Sequence, residues 1–415
     1  MRKHVWWFVT VLGCLMLSSP VVGQEKKLVV WSHWGEEPVK VNYMQAVAQG
    51  FEDHAGIPVE IVFMPKPELA EALIFALDTT EPDLTYIDVG SNFAHPRIMR
   101  SLADLSDLVF SGELEPNWEL GSVGKSRNTY IPIEGLSNAI YYNKRVFEQA
   151  GIVLPADRPV TENEFLDIIR TLRKAGITPI GEGISDSPPK VTLPFINAIF
   201  RYAGPEKTAQ LLRGTLSFSD PDVIDALNFL KAIVDAQAYD SVKALDLTLL
   251  EGIFEVTDGN AAMNFCGTYI YSKFGTTERD QGQIGVMDWF TVEQGQGNDF
   301  YEIFWVAGFA ANKNSQSLPE AKQFLEYLMS PEAASLWIQH VQAPYPVPAE
   351  QVSDDSLYGM LMALRSGQQP APHMFTFQAF QPKALQKMWQ EETKRFIMGE
   401  RTVEQFVERM NSRME

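Results

Sequence analysis

The sequence predicts an α/β protein of two lobes. Three observations carry that expectation: strands and amphipathic helices alternate from Leu28 onward, the chain is 415 residues long, and 45% of it is apolar, enough to fill more than one core. The run Leu28-Val29-Val30-Trp31-Ser32 reads as a strand, followed by Val41, Met44, Val47, Ala48 and Phe51 at helical spacing. Val59 to Phe63 is a second strand, Glu68 to Leu77 a second helix, and Leu84 to Val89 a third strand that ends in the polar turn Gly90-Ser91-Asn92. A βαβ rhythm of this kind belongs to an open sheet covered by helices.

The middle of the chain is mainly helical. Thr161-Glu162-Asn163-Glu164 is a capping box ahead of Phe165, Ile168, Ile169 and Leu172, and Asp220-Pro221 offers an N-cap with proline in the first turn. A further strand follows at Phe304 to Ala310, then helices around Phe324 to Met329 and from Ser330-Pro331-Glu332. Next come the proline cluster Pro344 to Pro348 and a last capping box, Thr402 to Gln405. No internal repeat or low-complexity segment interrupts this order.

Arg2 and Lys3 precede an apolar run from Val5 to Leu17, and Val21 and Gly23 stand three and one positions before Gln24. This is the pattern of a signal peptide over residues 1–23, so the mature chain is expected to lie in the periplasm. Leu12-Gly13-Cys14 also resembles a lipoprotein acceptor, a weaker reading because cleavage there shortens the apolar core. No later stretch reaches the length of apolar chain a bilayer requires. The formal net charge is −19, which repels phosphate backbones and argues against a nucleic-acid partner. Of the two cysteines, Cys14 lies in the leader, so the mature chain has no partner for Cys266 and depends on core burial for its stability.

Several segments, in order along nearly all of the mature chain, resemble the extracellular solute-binding proteins of family 1, the maltose-binding-like receptors of ABC importers. They are the opening strand with its polar and aromatic turn, Glu81-Pro82-Asp83-Leu84, Tyr130-Ile131-Pro132 through Tyr141-Tyr142-Asn143-Lys144, Asp258 to Met263 with Gly267-Thr268-Tyr269, Ala321 to Pro331, and Gly399 to Phe406. The resemblance implies the type II two-lobed periplasmic-binding-protein fold, a hinged clamp with its ligand cleft between the lobes. It implies residues 24–133 and 295–343 in the first lobe and 134–294 and 344–415 in the second. The crossings are expected near Pro132 to Leu136, Met287 to Phe300 and Pro344 to Pro348. It further implies a monomer that passes a small molecule, a carbohydrate, to membrane permease subunits, with no cofactor, no metal and no catalysis.

Ligands of open α/β sheets lie at the carboxyl ends of strands, which directs attention to the residues after each strand. Ser32, His33, Trp34 and Glu36 follow the first. An indole stacks on the C–H face of a pyranose while carboxylates and imidazole bond its hydroxyls. Asp88 ends the third strand, and Glu134 is a lone charge in an apolar strand region, with a salt bridge across the hinge as its plain structural alternative. Gly267-Thr268-Tyr269 stands where members of the family it resembles commonly carry a glycine followed two places on by tryptophan, which makes Thr268 and Tyr269 candidates; tyrosine keeps a flat face. Trp305, Tyr345 and Trp389 complete the candidate set, each with a core position as its alternative. Glu182 and Asp186 are weaker candidates.

A secreted acidic protein could instead be a glycosidase, but His-Glu-x-x-His and Gly-x-Ser-x-Gly are absent, and His33, His54 and His95 lack metal-site spacing. Gly121 to Ser126 imitates a phosphate loop with Glu119 where its first glycine belongs. Within the receptor class a polyamine, a phosphorylated polyol or a chelated metal remain alternative ligands; the tryptophans favour carbohydrate.

Overall fold

The computed structural model describes residues 27–88, 93–115, 117–123, 126–185, 193–270, 282–349, 356–372 and 383–414. The leader, Cys14, the turn Gly90 to Asn92 and Asp186 lie outside them. No helix among the described residues is long and apolar enough to cross a membrane.

The expected alternation builds the first of two main sheets. Strands β1 (Leu28–Ser32), β2 (Val59–Phe63) and β3 (Leu84–Asp88) are parallel, with β1 between the other two. Next to β3 lies a strand from far along the chain: the spatial order is β2-β1-β3-β11-β5-β4, where β4 is Gly121–Val123, β5 is Ser126–Leu136 and β11 is Phe304–Ala311. β11 runs antiparallel to both β3 and β5. It can approach β5 closely because position 308 is glycine: a Cβ there would sit 1.7 Å from the Ile131 carbonyl oxygen, beside a register irregularity between Trp305 and Gly308.

The second sheet has the order β7-β8-β6-β9, from β6 (Asn138–Asn143), β7 (Thr178–Ile180), β8 (Ala261–Gly267) and β9 (Ile284–Met287). β5 and β6 are consecutive but belong to different sheets, and Ser137 is the single residue between them. A short parallel pair, β10 (Phe300–Tyr301) with β12 (Gln369–Pro370), lies just before β11.

Helices cover the sheets as the apolar spacing requires. Pro38–Ala55 buries Tyr43, Met44, Val47 and Phe51 against the first sheet's core. Glu162–Lys174 buries Phe165, Ile168, Ile169 and Leu172 in the second, behind the Thr161–Glu164 capping box, in which both reciprocal bonds form. Asp220 and Ser330 cap their helices through their side chains, and Thr402 and Gln405 form the last box. The Pro344–Val347 run packs on the first lobe: the Tyr345 hydroxyl meets that of Tyr43 at 3.0 Å, and the Pro344 carbonyl accepts from the Gly135 N–H at 3.1 Å.

Candidate functional site

Strand register brings distant carboxylates to one end of the first sheet. Ala307 of β11 stands opposite Asp88 of β3 on one side and Glu134 of β5 on the other. The Ser32 to Glu37 turn leaves β1 at the same end, because Trp31 is level with Thr85. This is the carboxyl end of the parallel strands, where open α/β sheets hold ligands.

Each of these acids meets a lysine. Lys66 pairs with Asp88, which also accepts from the Tyr86 hydroxyl at 3.1 Å. Buried Lys40 reaches Glu134 at 2.7 Å and Glu37 at 3.1 Å, and its ammonium lies 5.0 Å from the Trp34 ring centroid. Burial pulls the Lys40 ammonium down, but Glu134 and Glu37 outweigh it and hold it above its ordinary value. His33 packs its ring 4.1 Å from that of Tyr86. Burial first, with Lys40 and Lys66 nearby, lowers its pKa to about 4, so the imidazole is neutral at pH 7 and offers one donor and one acceptor. Burial and then Asp88 raise the Tyr86 phenol well above its usual value, keeping it a donor.

Beside this group lies a cavity of about 280 Å³ bordered by Asn117, Glu119, Ser122, Tyr130, Pro132 and Trp305. Trp305 is fixed by its indole N–H, which donates to Asn117 Oδ1 at 3.2 Å. Tyr130 joins the cavity to the carboxylate end; its phenol is raised by burial and then by the Asp88 charge.

At the end of β8 in the second sheet lies Tyr269. A Cβ at Gly267 would meet its ring at 3.0 Å, so glycine there gives the ring its place. Burial, then Cys266, raises its phenol, and the Glu182 carboxylate also acts on it. Thr268 is fully buried and donates to the Gly135 carbonyl at 3.3 Å while accepting from the Ser137 N–H at 3.2 Å. Glu134 and Tyr269 are thus each one residue from the bond that joins β5 to the end of β8.

The candidates therefore divide. His33, Asp88, Glu134 and Trp305 stand around the strand ends and the adjoining cavity, Tyr269 lies just past the end of β8 beside the crossing, and Glu36 is exposed on the turn. Ser32 is buried, its hydroxyl accepting from the Trp34 N–H at 3.3 Å, and Thr268 is spent on the crossing. Three aromatic candidates lie in cores instead of facing a cleft. Trp34 is enclosed by Tyr86, Phe309 and Trp337 at 5.3–5.7 Å between centroids. Tyr345 lies against Tyr43 and Trp337, and Trp389 against Phe195, Phe218 and Phe406. An aromatic box of that kind gains more from burial than an indole exposed to solvent.

Sequence reasoning passed over Lys40, Lys66, Tyr86, Tyr130 and Asn117. Lys40 carried a readable signal: it precedes Met44 by four positions and Val47 by seven, placing a charge on the helix's core stripe. Lys66 and Asn117 had none.

The model of a family described as bacterial extracellular solute-binding protein matches residues 35–335. A candidate binding protein of Brucella abortus is 24% identical over 241 residues, 56% of this chain and 56% of that protein, so the match spans little more than half of its length. The melibiose/raffinose/stachyose-binding protein MelE of Bacillus subtilis is 22% identical over 359 residues, 80% of this chain and 77% of its own. Among solved structures, RafE of Streptococcus pneumoniae in its apo form is similar with a TM-score of 0.70 at 18% identity, covering 94% of this chain and 97% of that one. RafE in complex with raffinose gives 0.67 at 17%, covering 93% and 98%.

Proposed function

The chain belongs to the bacterial extracellular solute-binding protein family, and from that premise we propose that it captures a neutral carbohydrate between its lobes and delivers it to an ABC importer. The observation that carries the ligand class is the pairing of acids with lysines: Asp88 with Lys66, and Glu134 and Glu37 with Lys40. A site built for a polyamine leaves its carboxylates unneutralised, and one built for a phosphorylated ligand leaves cations without acids. Here two ammoniums offset two of the three carboxylates, and the one negative charge left over is too little to hold a polycation; donors and acceptors beside Trp305 and Tyr269 suit hydroxyls on a ring with an apolar face. The sugars named for MelE and RafE support the same class.

In this reading His33, Asp88, Glu134 and Trp305 serve the first lobe and Tyr269 the second, with Glu182 beside it. Ser32 and Thr268 position their neighbours. The lobes follow the division given by the sequence with two shifts: the first crossing falls after Leu136, since Glu134 to Leu136 belong to β5 of the first sheet, and the third after Val347, since the Pro344–Val347 run is anchored on the first lobe. The protein acts as a periplasmic monomer exported by its leader, without catalysis, and closure follows from the ligand's higher affinity for the closed state.

A thermal-shift screen against raffinose, melibiose, xylo- and chito-oligosaccharides, and spermidine tests this. A ligand at a hundredfold excess over its Kd adds about 2.7 kcal/mol of stability, so one sugar class should raise the melting temperature while spermidine does not. A rise with spermidine alone, or release of hydrolysis products from a sugar, would overturn the reading.

A further inference from the structure

Where the chain crosses between lobes, the fold buries charged groups that the ligand site does not use. Arg365, which follows the helix Leu357–Leu364, donates to the Ser137 hydroxyl and, at 2.7 Å, to the Asn138 carbonyl. It also pairs with Asp288, just past β9, at 2.9 Å. Asp288 takes a second arginine, Arg201, at 3.2 Å and a bond from Gln368 at 3.1 Å. Burial raises the Asp288 carboxyl, but the two arginines outweigh it and hold it below its usual range.

Glu302 lies between β10 and β11 on the second crossing. Its Oε2 accepts from Asn138 Nδ2 at 2.7 Å, which ties the two crossing strands side by side. Its backbone carbonyl accepts from the Ser137 hydroxyl. Its other carboxylate oxygen is buried with no hydrogen-bond partner among the described residues. The charged groups acting on it are Arg201, Arg365 and Asp288, and both arginines are already engaged by Asp288.

We propose that Glu302 is a positioning residue of the clamp: protonated, it is accommodated in the closed crossing, where Asn138 ties the two strands side by side, and ionised, its unbonded buried oxygen favours an opening that admits water and frees the lobes to separate. A carboxylate with one oxygen unbonded inside the protein is costly, and opening the crossing admits water to it. Burial pushes its pKa up to about 7, against the Asn138 bond and the two arginines, which favour the charged form. The ordinary value is 4.5, so Glu302 adds stability fully below about 4.5, and that contribution is lost as pH rises to about 7.

The proposal rests on the clamp reading, and two measurements on the unliganded protein separate them. Melting curves from pH 4.5 to 8.5 report the proton, and X-ray scattering at pH 6 and 8 reports the lobes. The wild type should lose a component of stability between pH 4.5 and 7 that Glu302→Gln lacks, and its radius of gyration should be larger at pH 8 than at pH 6. The variant should keep the pH 6 value at both. Identical slopes in the two proteins, or a flattened slope with a wild-type radius that does not change, would overturn the assignment. If Glu302→Gln fails to fold, Asn138→Ala serves: it removes a bond that favours the ionised form, so the midpoint of the transition should move up by about half a unit or more. An unmoved midpoint would also refute it. Neither readout depends on which ligand binds.

Discussion

Lys40 is the residue that compensates two of the acids at the strand ends of the first sheet. It is buried, it faces Glu134 and Glu37, and it sits on a helix stripe otherwise made of Tyr43, Met44, Val47 and Phe51. Breaking a buried pair from one side leaves the other charge without compensation, at a cost of about 3–5 kcal/mol. Lys40→Met should therefore lower stability in urea unfolding by about that much, whereas Lys40→Met with Glu134→Met should recover most of it. A single variant as stable as the wild type would show that water already compensates Glu134. His33 adds a pH dependence of the opposite sign to that of Glu302. Its pKa falls to about 4 from 6.5, so the unfolded chain takes its proton first, and the stability present above about 6.5 is lost as pH falls through about 4. His33→Phe should flatten that acid limb of the melting profile.

The elements were legible in proportion to how local their causes are. Thr161, Asp220, Ser330 and Thr402 announce helix starts through contacts within three residues, and periodicity announces which face is buried. The order of strands is different. That β11 lies between β3 and β5 follows from pairing with strands far earlier in the chain, and nothing local in Phe304 to Ala311 records it. Yet this insertion sets Asp88 and Glu134 on either side of Ala307. Gly308→Val tests the link, because its Cβ would collide with the Ile131 carbonyl. It should cost more than about 3 kcal/mol and weaken sugar capture together, read by urea unfolding and the same thermal-shift assay. A destabilised variant with unaltered affinity would show that the strand packs the core without aligning the site.

At the scale of the whole molecule, the sequence carried the family and with it two lobes, since ordered motifs along the chain survive where no single one is specific. The aromatic candidates were harder to sort, because tryptophan and tyrosine serve a core and a sugar face equally well, and only tertiary packing separates Trp34 and Trp389 from Trp305 and Tyr269. Trp305 lies on a strand of the first sheet and Tyr269 just past a strand of the second, which permits a test of the proposed clamp itself. If ligand is held by one lobe, Trp305→Ala and Tyr269→Ala act independently, and their effects on affinity add within about 0.3–0.5 kcal/mol. If closure is driven by contacts on both sides, loss of either weakens the preference for the closed state, and the second substitution then removes less than it would alone. Calorimetric titration of the two single variants and the double variant, with the sugar that gives the largest thermal shift, should show a coupling above about 0.5 kcal/mol. Additive losses would place the ligand on one lobe and leave the clamp without a role in capture.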